Sequence, residues 1–188
     1  MKVVRIIGGR HKGRAIRAPR EGTRPTTDRV REAIFNVLAH ADFAPVLAGA
    51  RVLDLFAGSG ALGLEALSRE AGFALLVETD AKARAVIRAN VEALGAQGRA
   101  KIWRRDATRM GKCAPMPPFD IAFLDPPYGK GLAERALKGL REGGWLKPDA
   151  LAVVEESAKA GFAPPEGFAL LDARAYGDTV VHFLRLAG

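Results

Sequence analysis

A chain of 188 residues, 48% of them hydrophobic, can bury one sizeable core but leaves no room for a second full domain. The single cysteine, Cys113, excludes an internal disulfide and has no metal-ligand cluster around it; no apolar run has the length of a signal peptide or membrane span, so a cytoplasmic protein without metal or membrane partner is expected. The net charge of +8 is concentrated in residues 1–36, where ten Lys/Arg face three acids, and a basic arm on a nearly neutral body is the footprint of a polyanion reader.

Residues 3–7 and 14–18 read as strands joined by the glycine-punctuated stretch 8–13, which makes a basic hairpin. Residues 19–25 read as a linker. Thr26 or Thr27 can cap a helix whose first turn holds Asp28, favourable at the positive end of the helix dipole. Val30, Ala33, Ile34, Val37 and Leu38 follow helical spacing, which packs one face on the body and leaves Arg29, Arg31 and Glu32 outside. Arg5, Arg10, Lys12, Arg14, Arg17, Arg24, Arg29 and Arg31 are the candidate polyanion contacts.

The next stretch, Arg51-Val-Leu-Asp-Leu-Phe-Ala-Gly-Ser-Gly-Ala-Leu-Gly63, reads as a buried strand, a glycine turn and the start of a helix. Gly58 and Gly60 let the backbone turn sharply and approach a ligand, and the helix N–H groups point back at the turn, forming a nucleotide-sized cradle. The spacing Gly58-x-Gly60-x-x-Gly63 also satisfies the dinucleotide fingerprint. Asp54, however, puts a carboxylate where a pyrophosphate would sit. That repels a phosphate and suits S-adenosylmethionine, which has a sulfonium and an ammonium and no phosphate. Glu78, at the end of the next apolar run, can accept both ribose hydroxyls and fits either cofactor. Phe56 and Thr79 join the candidate cofactor residues.

Residues 80–95 have helical spacing and stop at Gly95; residues 100–103 are a short strand that brings Asp106 and Ala107 to the same rim, near an adenine amino group. Residues 119–125 form a further strand and deliver Asp125-Pro126-Pro127-Tyr128. Two prolines fix φ and remove two N–H donors, so this turn presents acceptors. An exocyclic amine whose two N–H bonds are both accepted holds its lone pair ready for in-line attack on a methyl group, and Tyr128 offers a face on which an extruded base can stack. Residues 132–140 are helical, 150–155 are a strand, and 168–175 with 179–186 make a terminal antiparallel pair; the whole reads as a doubly wound α/β fold.

Asp54-Leu-Phe-Ala-Gly-Ser-Gly60, Asp125-Pro-Pro-Tyr128, Arg5-Ile-Ile-Gly-Gly9 and Arg24-Pro-Thr-Thr-Asp-Arg-Val-Arg-Glu-Ala-Ile-Phe-Asn36 resemble the bacterial RsmD family, which methylates N2 of a guanine in small-subunit ribosomal RNA. The resemblance spans essentially the whole chain. Many amino-methyltransferases share the glycine turn and the DPPY; the amino-terminal stretch is the family-specific part. The resemblance implies a class I (Rossmann-like) methyltransferase core at residues 41–188, with a seven-stranded sheet whose last strand is antiparallel, and a basic extension at residues 1–40 packed on it. It implies S-adenosylmethionine as cofactor, with Asp54, Gly58 and Gly60 on the methionine part, Glu78 on the ribose, Asp106 and Ala107 on the adenine, and Asp125 to Tyr128 on the guanine. It further implies a monomer acting on an assembled or partly assembled small subunit, with the basic hairpin and helix on RNA and residues 24–31 closing over cofactor and RNA. One departure, Glu70-Ala-Gly72 where the family more often has glycine directly after Ser-Arg, lies behind the cradle.

Rival readings are an amino-methyltransferase acting on adenine N6 in DNA or RNA or on a protein glutamine amide, an NAD-linked oxidoreductase, and a noncatalytic RNA-binding module. The lack of room for a base-reading domain counts against DNA, and the basic arm counts against a protein substrate. Asp54 and the DPPY count against NAD chemistry, and the retained cofactor acids count against a noncatalytic module.

Overall fold

The computed structural model describes residues 2–19 and 28–188. Two short strands, β1 (Lys2–Arg5) and β2 (Ala15–Ala18), pair antiparallel, and helix α1 (Asp28–His40) follows. The remainder alternates: β3 (Arg51–Leu55), α2 (Ala61–Ser68), β4 (Phe73–Val77), α3 (Ala81–Ala93), β5 (Ala100–Trp103), β6 (Phe119–Leu124), α4 (Leu132–Glu142), then β7 (Leu146–Ser157), β8 (Phe168–Tyr176) and β9 (Thr179–Leu186). The expected caps Thr26 and Thr27 and most of the 19–25 linker lie outside the described residues.

The central strands are apolar on both faces, as a parallel sheet covered on both sides requires. The sheet has the order β5-β4-β3-β6-β7-β9-β8, and β9 runs antiparallel to both neighbours. This is the seven-stranded class I methyltransferase sheet. Alternation along β3 divides the core: Val52 faces the layer that contains α1, α2, α3 and the amino-terminal hairpin, while Leu53 and Leu55 face the layer with α4 and Trp145. Phe35 of α1 meets Phe123 of β6 with ring centroids 5.7 Å apart, and Val4, Ile6 and Ile16 of the hairpin join the same cluster.

Strand order reverses at β3, between β4 and β6. A crevice opens at such a point beyond the carboxyl ends of the strands. The residues that follow β3, β4, β5 and β6 therefore converge on one rim.

Most element boundaries fall within two residues of the sequence expectation, and those at β1 and β7 differ for physical reasons. β1 ends at Arg5 rather than residue 7, because the N–H groups of Ile7 and Gly8 donate to the Glu65 side chain. β7 begins at Leu146, four residues before the expected start; the strand runs through Pro148, and Asp149 adopts φ 62° where the pairing with β6 shifts register. Proline is tolerated at such an irregularity.

Candidate active site

The turn after β3 is built by backbone conformations that ordinary residues resist. Gly60 caps α2 at φ 77°, a left-handed conformation that residues with a Cβ rarely adopt. At Gly63 a Cβ would come within 2.6 Å of Leu76 and 3.2 Å of the Asp54 side chain, so glycine is what lets α2 lie this close to the sheet. Phe56 is held at φ 57°, an uncommon conformation for an aromatic residue and of the kind found at ligand sites.

A cavity of about 590 Å³ lies at this turn, within the size range of small-molecule sites. It brings together Asp54, Phe56, Gly58, Glu78, Thr79, Asp106, Ala107 and the whole Asp125–Tyr128 turn. Gly60 lies behind them as the helix cap. The candidate cofactor acids and the acceptor turn thus face one space.

Each acid is held differently. Asp54 is 2% exposed, and its Oδ2 accepts from the Gly63 N–H at 2.9 Å. Burial, reinforced by the Glu78 charge and opposed by the Gly63 bond, pushes its pKa up to about 7. An acid raised from 3.8 in the unfolded chain keeps a proton in the folded state between these values. Its contribution to stability therefore falls as pH rises from about 4 to about 7 and is level above that. Asp54→Asn is expected to remove this component, so urea midpoints of native and variant proteins should diverge across pH 5 to 7.5; parallel curves would rule out the shift.

Glu78 ties the glycine turn to the end of β4: its Oε2 accepts from Gly58 N–H at 2.9 Å and its Oε1 from Asp80 N–H at 2.9 Å. Asp106 accepts from both the backbone N–H and the hydroxyl of Thr108, bonds that hold its pKa below the usual carboxylate value. Asp80 caps α3 by accepting from Ala83 N–H.

The Tyr128 hydroxyl is anchored, 2.9 Å from Glu155 Oε1, to which it donates, and 3.2 Å from Thr179 Oγ1. Burial raises its pKa, and the nearby Glu155 and Asp125 charges add to the effect. Next along the turn, Gly129 N–H donates to buried Glu156. β7 thereby fixes the ring from its polar end. Tyr128→Phe is expected to cost about 0.5–1.5 kcal/mol by leaving a buried acceptor at Glu155 less well satisfied, read as a lower urea midpoint at unchanged m.

The amino-terminal segment also reaches this cavity: Val4, Ala18, Pro19 and Arg31 line it. The hairpin is fastened behind the cradle by three side chains that the sequence reading did not single out. Ser68 of α2 accepts from His11 N–H and donates to the Gly8 carbonyl. Glu65 of α2 accepts from Ile7 and Gly8 N–H, and Asn90 of α3 accepts from Arg17 N–H while donating to the carbonyls of Arg17 and Ser59.

The basic arm divides. Arg5, Arg10, Lys12, Arg14, Arg17 and Arg29 are exposed, and Arg24 lies outside the described residues. Arg31 is a correction: expected on the solvent face, it is 0% exposed, within reach of Asp28 and Glu65. Its spacing to Phe35 and Leu38, both buried, places it on the packed stripe and was the available signal. Arg105, also unanticipated, lies at the cavity with its guanidinium over the Trp103 ring and donates to the Met110 carbonyl.

Residues 4–185 match the family described as Conserved hypothetical protein 95. The chain is 44% identical over 159 residues to Ribosomal RNA small subunit methyltransferase D of Escherichia coli K12, covering 84% of this chain and 77% of that protein. It is 38% identical to the protein of the same name from Haemophilus influenzae, covering 93% and 89%. The solved structure of yhhF from Escherichia coli superposes with a TM-score of 0.85 at 36% identity, covering 99% of both chains.

Proposed function

We propose a function from one premise: this chain belongs to the Conserved hypothetical protein 95 family, the RsmD family. The chain transfers a methyl group from S-adenosylmethionine to the exocyclic N2 amine of a guanine in small-subunit ribosomal RNA. The observation that carries this reading is the convergence of the cofactor acids and the Asp125-Pro126-Pro127-Tyr128 turn on one cavity.

The cavity suits this cofactor chemically. Its glycine turn is flanked by the carboxylates of Asp54 and Glu78, which disfavour a pyrophosphate and favour a ligand with an ammonium and a ribose diol. Asp54 and the 58–60 backbone would hold the methionine end, Glu78 and Thr79 the ribose, Asp106 and Ala107 the adenine, with Phe56 packing alongside. The bound cofactor supplies an electrophilic methyl group on a sulfonium.

What this chain contributes is orientation. Asp125 and neighbouring carbonyls accept the two N–H bonds of the target amine, which keeps the nitrogen lone pair directed at the methyl group. Tyr128, anchored through its hydroxyl, presents its ring to the extruded base. The exposed residues Arg5, Arg10, Lys12, Arg14, Arg17 and Arg29 offer charge to RNA phosphates, which fixes position without reading sequence. The reading extends to a monomer acting on an assembled or partly assembled subunit in the cytoplasm; among the described residues no helix is long and apolar enough to cross a membrane.

The test is transfer of labelled methyl from S-adenosylmethionine to small subunits from cells lacking this protein, beside naked RNA, DNA and whole-cell protein, followed by nucleoside digestion. Label is expected in N2-methylguanosine. Label in N6-methyladenosine or in protein would overturn the substrate and leave the amine chemistry; no label in any pool would overturn both.

A further inference from the structure

S-adenosylmethionine ends in a zwitterion, an ammonium and a carboxylate on one carbon. A cavity that holds it needs an acceptor for the first and a donor for the second. Asp54 is the acceptor at the glycine turn. Among the described residues, two arginines line the cavity, Arg31 and Arg105. Arg105 is exposed at the β5 edge next to Asp106, the adenine end on the reading above, with its guanidinium over Trp103 and one N–H donating to Met110.

Arg31 is buried, and its donors are only partly used. Its Nη2 carries both of its anchors, the Arg5 carbonyl and Asp28 Oδ1. Its Nε stands 3.6 Å from Glu65 Oε2, beyond hydrogen-bond range. The Glu65 oxygens already accept from Ile7 N–H, Gly8 N–H and Arg69 Nε. Nη1, with two N–H donors, is buried and has no hydrogen-bond partner among the described residues. Leaving a charged group's donors buried and unmet is costly, and burial lowers the pKa of this guanidinium. A purely structural role as counter-charge to Glu65 accounts for the Nε side of the group. It does not account for Nη1, nor for the residue's place in the cavity wall.

We propose, on the basis of the cofactor reading above, that Arg31 Nη1 donates to the carboxylate of the cofactor's amino-acid end while Asp54 accepts from its ammonium. The two side chains then recognise the zwitterion as a pair, and Arg31 serves the cofactor rather than RNA. Anchoring Nη2 to the hairpin and to the first turn of α1 makes cofactor binding depend on how those two elements are docked.

Calorimetric titration of the full chain with S-adenosylmethionine and with its decarboxylated analogue tests this. The native protein is expected to prefer the carboxylate-bearing compound by about ten- to a hundredfold, the range of one charge-assisted hydrogen bond. In Arg31→Met that preference should collapse to within about threefold, with the analogue bound as tightly as by native protein, and Arg31→Lys should recover part of it. An undiminished preference in Arg31→Met, or equal native affinity for both compounds, overturns the assignment and leaves the cofactor reading standing. No binding of S-adenosylmethionine by the native protein overturns the cofactor reading and this assignment with it. If Arg31→Met does not fold, side-chain spectra of ¹⁵N-arginine-labelled native protein decide. The Arg31 signal should move with S-adenosylmethionine and stay with the analogue; the same response to both compounds overturns the assignment.

Discussion

Replacing Asp125 with alanine is expected to cut methyl transfer by at least about a hundredfold, the loss typical when a group that acts in the transition state is removed. Affinity for S-adenosylmethionine should change little. The asymmetry follows from position: Asp125 directly follows the strand β6 and begins a turn in which Pro126 and Pro127 supply no N–H. On the proposed function the turn accepts hydrogen bonds from the target amine, whereas the cofactor would be held from the neighbouring β3 and β4 ends. Asp125→Asn keeps a carbonyl oxygen and should retain more activity than alanine. Turnover assays paired with cofactor titration check this. Equal losses in both would move Asp125 from the target amine to the cofactor.

Glu65→Ala is expected to be the most destabilising single substitution in the amino-terminal interface, by about 3–5 kcal/mol, because it removes the buried acid of an ion cluster and leaves Arg31 with only the exposed Asp28 as counter-charge. Glu65 is 0% exposed, as is Arg31 beside it, and Glu65 also takes the two backbone donors of Ile7 and Gly8 at 2.9 and 2.8 Å. Arg69, the C-cap of the same helix, bonds Glu65 at 2.9 Å and stacks over Phe35, so the loss reaches α1 as well. Urea denaturation should show the loss, and hydrogen exchange should show protection vanishing at Ile7 and Gly8. A loss below about 1 kcal/mol would mean that the cluster is mutually compensated without its central acid.

Most of the rim was legible in the sequence because each rim residue lies at or shortly after the carboxyl end of its own strand. Asp54, Glu78, Asp106 and Asp125 stand at the ends of apolar runs, and parallel strands bring their carboxyl ends to one side. What stayed hidden is whatever depends on partners far along the chain. Glu65 lies 58 residues from Ile7, Asn90 lies 73 from Arg17, and Tyr128 lies 27 from Glu155. In sequence each of these reads as an ordinary helix or strand polar residue. Arg31 was misplaced for a different reason: the charge suggested solvent, whereas the i, i+4, i+7 spacing with Phe35 and Leu38 pointed inward. Hydrophobic pattern outranks charge when a buried acid such as Glu65 waits on the facing helix.

The hairpin's fastening has a consequence for how the chain is made. Its anchors are on α2 and α3, the latter ending at Ala93, and both helices leave the ribosome after the hairpin. Until α3 has emerged, the hairpin that carries Val4, Ile6 and Ile16 lacks its Asn90 anchor and part of the cluster that covers it, and closing loops of this span is slow compared with local folding. The hairpin is thus made before its anchors and docked late. Nascent chains stalled before residue 93 should expose an amino-terminal segment that proteases and chaperones can reach, and longer ones should hide it.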